Sequence, residues 1–155
     1  MSEIAYRKAR ASDMERIREL IREYAAGIGF DIEYQGLSEE LAGLPGKYAE
    51  PEGAMLVAES EGEVIGIVAL RDLGGSACEM KRLYVSKTAR GFGVGRSLVE
   101  RIVEEAREKG YRAMRLDTLR SMGAALALYS SAGFRERDPY IYNPLPGAVF
   151  MEKIL

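Results

Sequence analysis

The stretch Val85-Ser86-Lys87-Thr88-Ala89-Arg90-Gly91-Phe92-Gly93-Val94-Gly95-Arg96-Ser97-Leu98 most constrains what this chain can become. Cys78 to Val85 reads as a strand. Gly95 to Lys109 reads as a helix, with Leu98, Val99, Ile102, Val103 and Ala106 on one stripe and Gly110 as its stop. Between them, glycines at 91, 93 and 95 strip the side chains from one length of backbone. Such backbone takes φ > 0 readily and lies close to a ligand. Its N–H groups, with the positive end of the following helix, make an anion site. Arg90 and Arg96 flank the loop and can add phosphate contacts.

Two familiar phosphate loops fail on spacing. A Walker loop ends in Gly-Lys-Ser/Thr, where this chain has Gly95-Arg96-Ser97. A dinucleotide fingerprint counted from Gly91 needs its third glycine at position 96, which is arginine, and it follows a chain's first strand. A plain turn that uses glycine only for backbone freedom stays open at this point.

The rest of the pattern alternates strands and helices. Ile4 to Arg7 is a short strand, followed by a helix with Ser12 or Asp13 as N-cap and Met14, Ile17, Leu20, Ile21 and Tyr24 at helical spacing. Leu37 to Leu44 fits a short helix. Ala54 to Glu59 and Glu63 to Leu70 form a hairpin about Ser60-Glu61-Gly62. Ala113 to Thr118 is a strand, Met122 to Ala132 a helix ended by Gly133, and Phe134 to Arg137 and Ala148 to Lys153 are closing strands. Hairpins mixed with strand–helix–strand crossovers imply an α/β (α+β) fold, a mixed sheet with helices on its faces.

A chain of 155 residues suits one domain, here residues 1–155, which buries roughly two-thirds of its unfolded surface. Net charge is −2, from 22 basic and 24 acidic residues, so the basic surplus of a nucleic-acid binder is missing. Histidine is absent and Cys78 is the single cysteine, which removes zinc sites, histidine-based triads and disulfides. No metal is expected. No apolar run approaches the ~20 residues of a membrane span, and the first residues lack a signal-peptide core. The expectation is a cytoplasmic protein without a membrane partner.

Arg90-Gly91-Phe92-Gly93-Val94-Gly95 matches the Q/R-x-x-G-x-G/A signature of the GNAT superfamily of N-acetyltransferases. Glu79 to Val85 resembles that family's central strand, and Leu116-Asp117-Thr118 and Leu126 to Phe134 resemble its next strand and helix. The resemblance covers residues 78–136 and implies the GNAT fold, with a splayed central strand pair, and use of acetyl-CoA as co-substrate. It places the pantetheine arm against the backbone of Leu83, Tyr84 and Val85. The pyrophosphate falls to Arg90, Gly91, Phe92, Gly93, Val94, Gly95, Arg96 and Ser97. The acceptor is an amine, more in keeping with a small or amino-acid-like molecule than with a protein lysine or N-terminus. A non-catalytic acyl-CoA sensor is the rival class, and a homodimer is compatible with the family.

Transfer needs loss of the ammonium proton, stabilisation of the oxyanion and protonation of the leaving thiolate. For an amine of pKa ~10.4 the first costs roughly 4–5 kcal/mol at pH 7. The resemblance implies Tyr129, four residues before Gly133, as general acid, although it also lies on an apolar stripe with Met122, Ala125 and Leu126. Many family members have asparagine where this chain has Met122. The resemblance implies Glu79, eleven residues before Arg90, as general base. The alternative for Glu79 is an ion pair with Lys81 or Arg82, and Asp117 reads as structural. The acceptor pocket is expected from residues 27–50 and Tyr140 to Pro144, with Asp31, Glu33 and Glu39 as charges for a cationic amine.

Overall fold

A computed structural model of the chain describes residues 2–155. The elements run β1 (Ala5–Lys8), α1 (Met14–Ile28), α2 (Leu37–Ala42), β2 (Ala54–Ser60), β3 (Glu63–Gly74), β4 (Ala77–Val85), α3 (Val94–Glu108), β5 (Ala113–Leu119), α4 (Gly123–Ser131), β6 (Arg135–Arg137) and β7 (Ala148–Ile154), with short 3-10 turns between some of them. One sheet of seven strands has the order β1-β2-β3-β4-β5-β7-β6. Only β4 and β5 are parallel, joined by the α3 crossover; every other neighbouring pair is antiparallel. The boundaries fall within a few residues of the sequence expectations. One local expectation changes: Asp13 takes the N-cap position of α1, but its carboxylate accepts the Arg10 N–H at 2.7 Å and pairs with Arg7 instead of capping the helix.

The period of two along β2 divides the core. Met55 and Val57 pack with Ile17, Leu20 and Ile21 of α1 on one face, while Ala54, Leu56 and Ala58 pack with Leu98, Val99 and Ile102 of α3 on the other. Each large aliphatic side chain so buried contributes about 1.5–3 kcal/mol. Ile102 is fully buried, so its truncation to alanine costs about 2–5 kcal/mol. Gly66 of β3 lets the start of α3 settle on the sheet: a Cβ there would stand 3.1 Å from both Val94 Cγ1 and Leu98 Cδ1.

The sheet opens in its middle. β4 and β5 pair only over Ala77–Glu79 and Ala113–Arg115, yet β4 continues to Val85 and β5 to Leu119. On its other edge β4 stays paired with β3, but Ile67 and Ala69 oppose Tyr84 and Lys81, so β4 carries one extra residue there. Arg82 absorbs it at φ 61°, a left-handed conformation unusual for a side-chain-bearing residue. The bulge and the splay produce a gap beside Met80 to Val85, continuous with the glycine loop that follows β4.

Candidate active site

At one end of the gap, the glycine loop presents bare backbone. Gly91 and Gly93 have φ of 89° and 74°, and Gly93 occupies the N-cap of α3 with no side chain closing the helix end. The first helical N–H groups therefore have no intrahelical or side-chain acceptor, while the Ser97 N–H already bonds the Gly93 carbonyl at 3.1 Å. Orphan donors at the positive end of a helix of 15 residues form the cradle expected for a phosphate. Gly95 needs no special φ; a Cβ there would make ordinary contacts at 3.5 Å with Leu128 and 3.8 Å with Val85. Arg90 donates from Nε to the Val85 carbonyl at 3.3 Å and lies over the Tyr84 ring. Arg96 reaches Ser131 Oγ at 3.3 Å. Phe92 is exposed at the loop tip.

At the other end lies a cavity of about 90 Å³, framed by α1, the splayed parts of β4 and β5, α4 and the segment before β7. One water needs ~10–15 Å³ by the same measure, so the cavity admits the reactive end of a small molecule. Tyr129 lines it from α4, with its ring edge-on to Phe134 at 6.1 Å between centroids. Burial, with Tyr24 and Asp117 nearby, raises its pKa well above the ordinary tyrosine range, so the phenol keeps its proton at neutral pH. Asp117 lines the cavity from β5 and accepts a bond from Asn143 Nδ2 at 3.0 Å. From β4 come Lys81 and Arg82. Arg82 is clamped by Glu40, with Nε–Oε2 at 2.8 Å and Nη2–Oε1 at 3.0 Å. Lys81 donates to Gln35 Oε1 at 3.2 Å, and burial, more than the charges around it, lowers its pKa to about 8.

The acetyltransferase (GNAT) family model matches residues 14–134, which include the glycine loop and every cavity-lining residue but Asn143 and Leu145. The chain belongs to the GNAT family of acetyltransferases. An uncharacterized N-acetyltransferase of Schizosaccharomyces pombe is 42% identical over 141 residues, covering 90% of this chain and 86% of that protein. An IAA acetyltransferase of Azospirillum brasilense is 43% identical over 109 residues, 69% of this chain and 71% of its own. Among solved structures, the PaiA N-acetyltransferase of Thermoplasma acidophilum in complex with coenzyme A superposes with a TM-score of 0.80 at 23% identity, covering 99% of each chain. This GNAT chain is accordingly an acetyl-CoA-dependent N-acetyltransferase.

The GNAT fold brings Leu83, Arg82 and Tyr129 to one cavity, and ties Val85 to the glycine loop through its carbonyl's bond from Arg90. It does not bring Glu79 into the cavity lining. That carboxylate is fully buried, with Oε1 accepting from Arg71 Nε and Oε2 from the Tyr140 hydroxyl, each at 2.7 Å. Its partners are thus neither Lys81 nor Arg82. Asp117 bonds a side-chain amide and faces the cavity, where a purely structural carboxylate bonding backbone N–H groups had been expected. Asn143 lines the cavity, and Tyr142 reaches Tyr34 edge-on at 6.0 Å. Asp31 and Glu33 instead fold into their own loop: Asp31 caps the Glu33 N–H and Glu33 holds Ser38. Glu39 is exposed and lies outside the cavity. Lys81, Tyr24 and Gln35 enter the site without having been singled out. The signal for Lys81 was available, since three charges, Glu79, Lys81 and Arg82, fall within one strand of a sheet whose other central strand, β3, is apolar from Val64 to Leu70.

Proposed function

We propose that this enzyme transfers the acetyl group directly from acetyl-CoA to the amine of a small molecule while both substrates are bound. The observation that supports this most is the shared cavity of Tyr129 and Asp117 at the splay of β4, the strand that leads into the uncapped N-terminus of α3. Pyrophosphate is read onto the N–H groups from Phe92 to Arg96, with Arg90, Gly91 and Ser97 completing the loop. The pantetheine arm is read against the backbone of Leu83, Tyr84 and Val85. The small cavity, roofed by Tyr34 and Asn143, suits a compact acceptor better than a protein segment.

In this reading the ammonium proton of the acceptor passes to Asp117, the carboxylate that lines the cavity. The nitrogen lone pair forms the bond to the thioester carbonyl carbon. Backbone N–H groups at the Arg82–Leu83 bulge meet the charge on the carbonyl oxygen. The C–S bond then breaks, the sulfur keeps the electron pair, and Tyr129 gives it a proton. The acylated nitrogen then loses its second proton, which passes by way of solvent to restore the phenol, and Asp117 releases the first to solvent, leaving the neutral amide, the free thiol and one proton. Glu79 acts as a positioning residue: through Tyr140 it anchors the segment from which Asn143 reaches Asp117. The test is a panel of amines with acetyl-CoA, read as free coenzyme A thiol. Turnover of a small amine supports the proposal; tight acetyl-CoA binding with no acceptor in any class favours the sensor reading.

A further inference from the structure

The cavity holds a charge with no counter-ion. Lys81 is 8% exposed, and its one hydrogen bond given above is to a neutral amide, Gln35. Among the described residues, no carboxylate lies within ion-pair distance of its Nζ. The other cation of the cavity, Arg82, is already neutralised by its two bonds to Glu40. A buried ammonium without an anion is costly, and such groups are normally paired. Here the energetic cost of burial is visible as a pKa lowered to about 8, even though the more distant charges of Glu79 and Asp117 oppose that shift while those of Arg82 and Lys47 add to it. Two of its three N–H donors are free for a ligand.

Acetyl-CoA does not supply that anion. Its pyrophosphate belongs at the glycine loop, beyond the far end of β4, and the pantetheine arm that runs between the two sites is uncharged. The anion must come with the acceptor. Across the cavity stands Asp117, whose carboxylate accepts one amide hydrogen bond and has no cationic partner within ion-pair distance among the described residues. The site thus has a positive pole on β4 and a negative pole on β5. Ile28, Ile32, Leu119 and Met122 supply an apolar wall.

We infer that the acceptor is a free α-amino acid with an apolar side chain: Lys81 pairs with its carboxylate, and Asp117 takes its ammonium. The inference rests on the acetyl-transfer reading of the cavity and adds to it the feature by which the acceptor is recognised. Lys81 does no chemistry here. It holds the acceptor by the end opposite to the reacting nitrogen, and fixes which amines enter.

Matched trios test it: leucine, methionine and phenylalanine, each as free acid, as carboxamide and as the decarboxylated amine. Neutralising the carboxyl also shifts the amine pKa, so KM and calorimetric Kd, measured on the protein loaded with coenzyme A, carry the decision. A charge-assisted hydrogen bond predicts that the free acids bind about 10-fold or more tightly than their neutral partners. Lys81→Met should erase that preference and Lys81→Arg should keep part of it, with acetyl-CoA affinity unchanged in both. Equal binding of acid, amide and amine, a preference that survives Lys81→Met, or no binding of any free acid overturns the inference. If neutral amines turn over as well as acids, the inference falls while acetyl transfer stands. If acids bind through Lys81 but nothing is acetylated, the proposed transfer falls and the recognition of a carboxylate stands.

Discussion

Replacing Lys81 by methionine should make the protein more stable at neutral pH. The buried ammonium has its pKa lowered from 10.5 to about 8. At about 1.4 kcal/mol per unit, that amounts to a native-state cost of about 3 kcal/mol while the group is protonated. Methionine has nearly the same length and no charge. The lost bond to Gln35 offsets about 1 kcal/mol, because that half-buried amide can turn to water. A net gain of about 2 kcal/mol raises Tm by roughly 4–8 °C in a domain of this size. The pH dependence is the sharper test. Between about pH 8 and 10.5 the folded chain has released a proton that the unfolded chain still holds, so the parent's stability rises with pH across that window. The variant lacks this slope, and its advantage should shrink from pH 7 to pH 9.5 and vanish above. Thermal unfolding followed by circular dichroism at the two pH values measures both. A methionine variant no more stable than the parent at pH 7, or a gap unchanged at pH 9.5, would refute the claim that Lys81 is buried without a counter-ion.

Tyr129→Phe keeps the ring contact with Phe134 and removes only the donor, so kcat should fall by about 10²–10⁴-fold with acetyl-CoA affinity little changed; turnover at the parent rate would assign the thiolate's proton to another group. Gly93→Val places a β-branched residue at φ 74° in the phosphate cradle. It should remove detectable coenzyme A binding by calorimetry and cost about 1–3 kcal/mol in denaturant unfolding, and unchanged affinity in the folded variant would sink the loop assignment. Glu79→Gln should lower both Tm and activity, with the activity loss uniform across pH if Glu79 positions Tyr140. A loss concentrated at neutral pH and relieved at high pH would instead identify Glu79 as the base.

The glycine loop and the helix after it are legible from sequence because both are local. A period of 3.6 over residues 94–108 and the positive φ of Gly91 and Gly93 need no distant partner. The tethers that shape the acceptor side are the opposite case. Lys81 meets Gln35 from 46 positions away, Arg82 meets Glu40 from 42, and Glu79 meets Tyr140 from 61. Spacing rules do not reach across such separations; from sequence they offer Glu79 only its neighbours Lys81 and Arg82 as partners. The chosen acidic residues of the 31–39 segment were also locally plausible, yet Asp31 and Glu33 serve their own turn.

The bulge, which resemblance alone suggested, is written in the strand itself. A plain β4 would send Cys78, Met80, Arg82 and Tyr84 to one face and Glu79, Lys81, Leu83 and Val85 to the other. In the structure Cys78 and Met80 share the α3 cluster with Leu83 and Val85, while Tyr84 packs with the α1 cluster. The apolar positions thus change parity between Met80 and Leu83, and a strand can follow such a change only by inserting one residue. The insertion at Arg82 keeps both cores filled, because each face still receives its apolar side chains. It also leaves Lys81 and Arg82 at the splay, where β4 still pairs with β3 but no longer with β5. Straightening the strand with every residue kept would turn Leu83 and Val85 out of the core. The requirement that both faces be packed therefore fixes the bulge. The bulge in turn places the unpaired charge of Lys81 in the lining of the cavity.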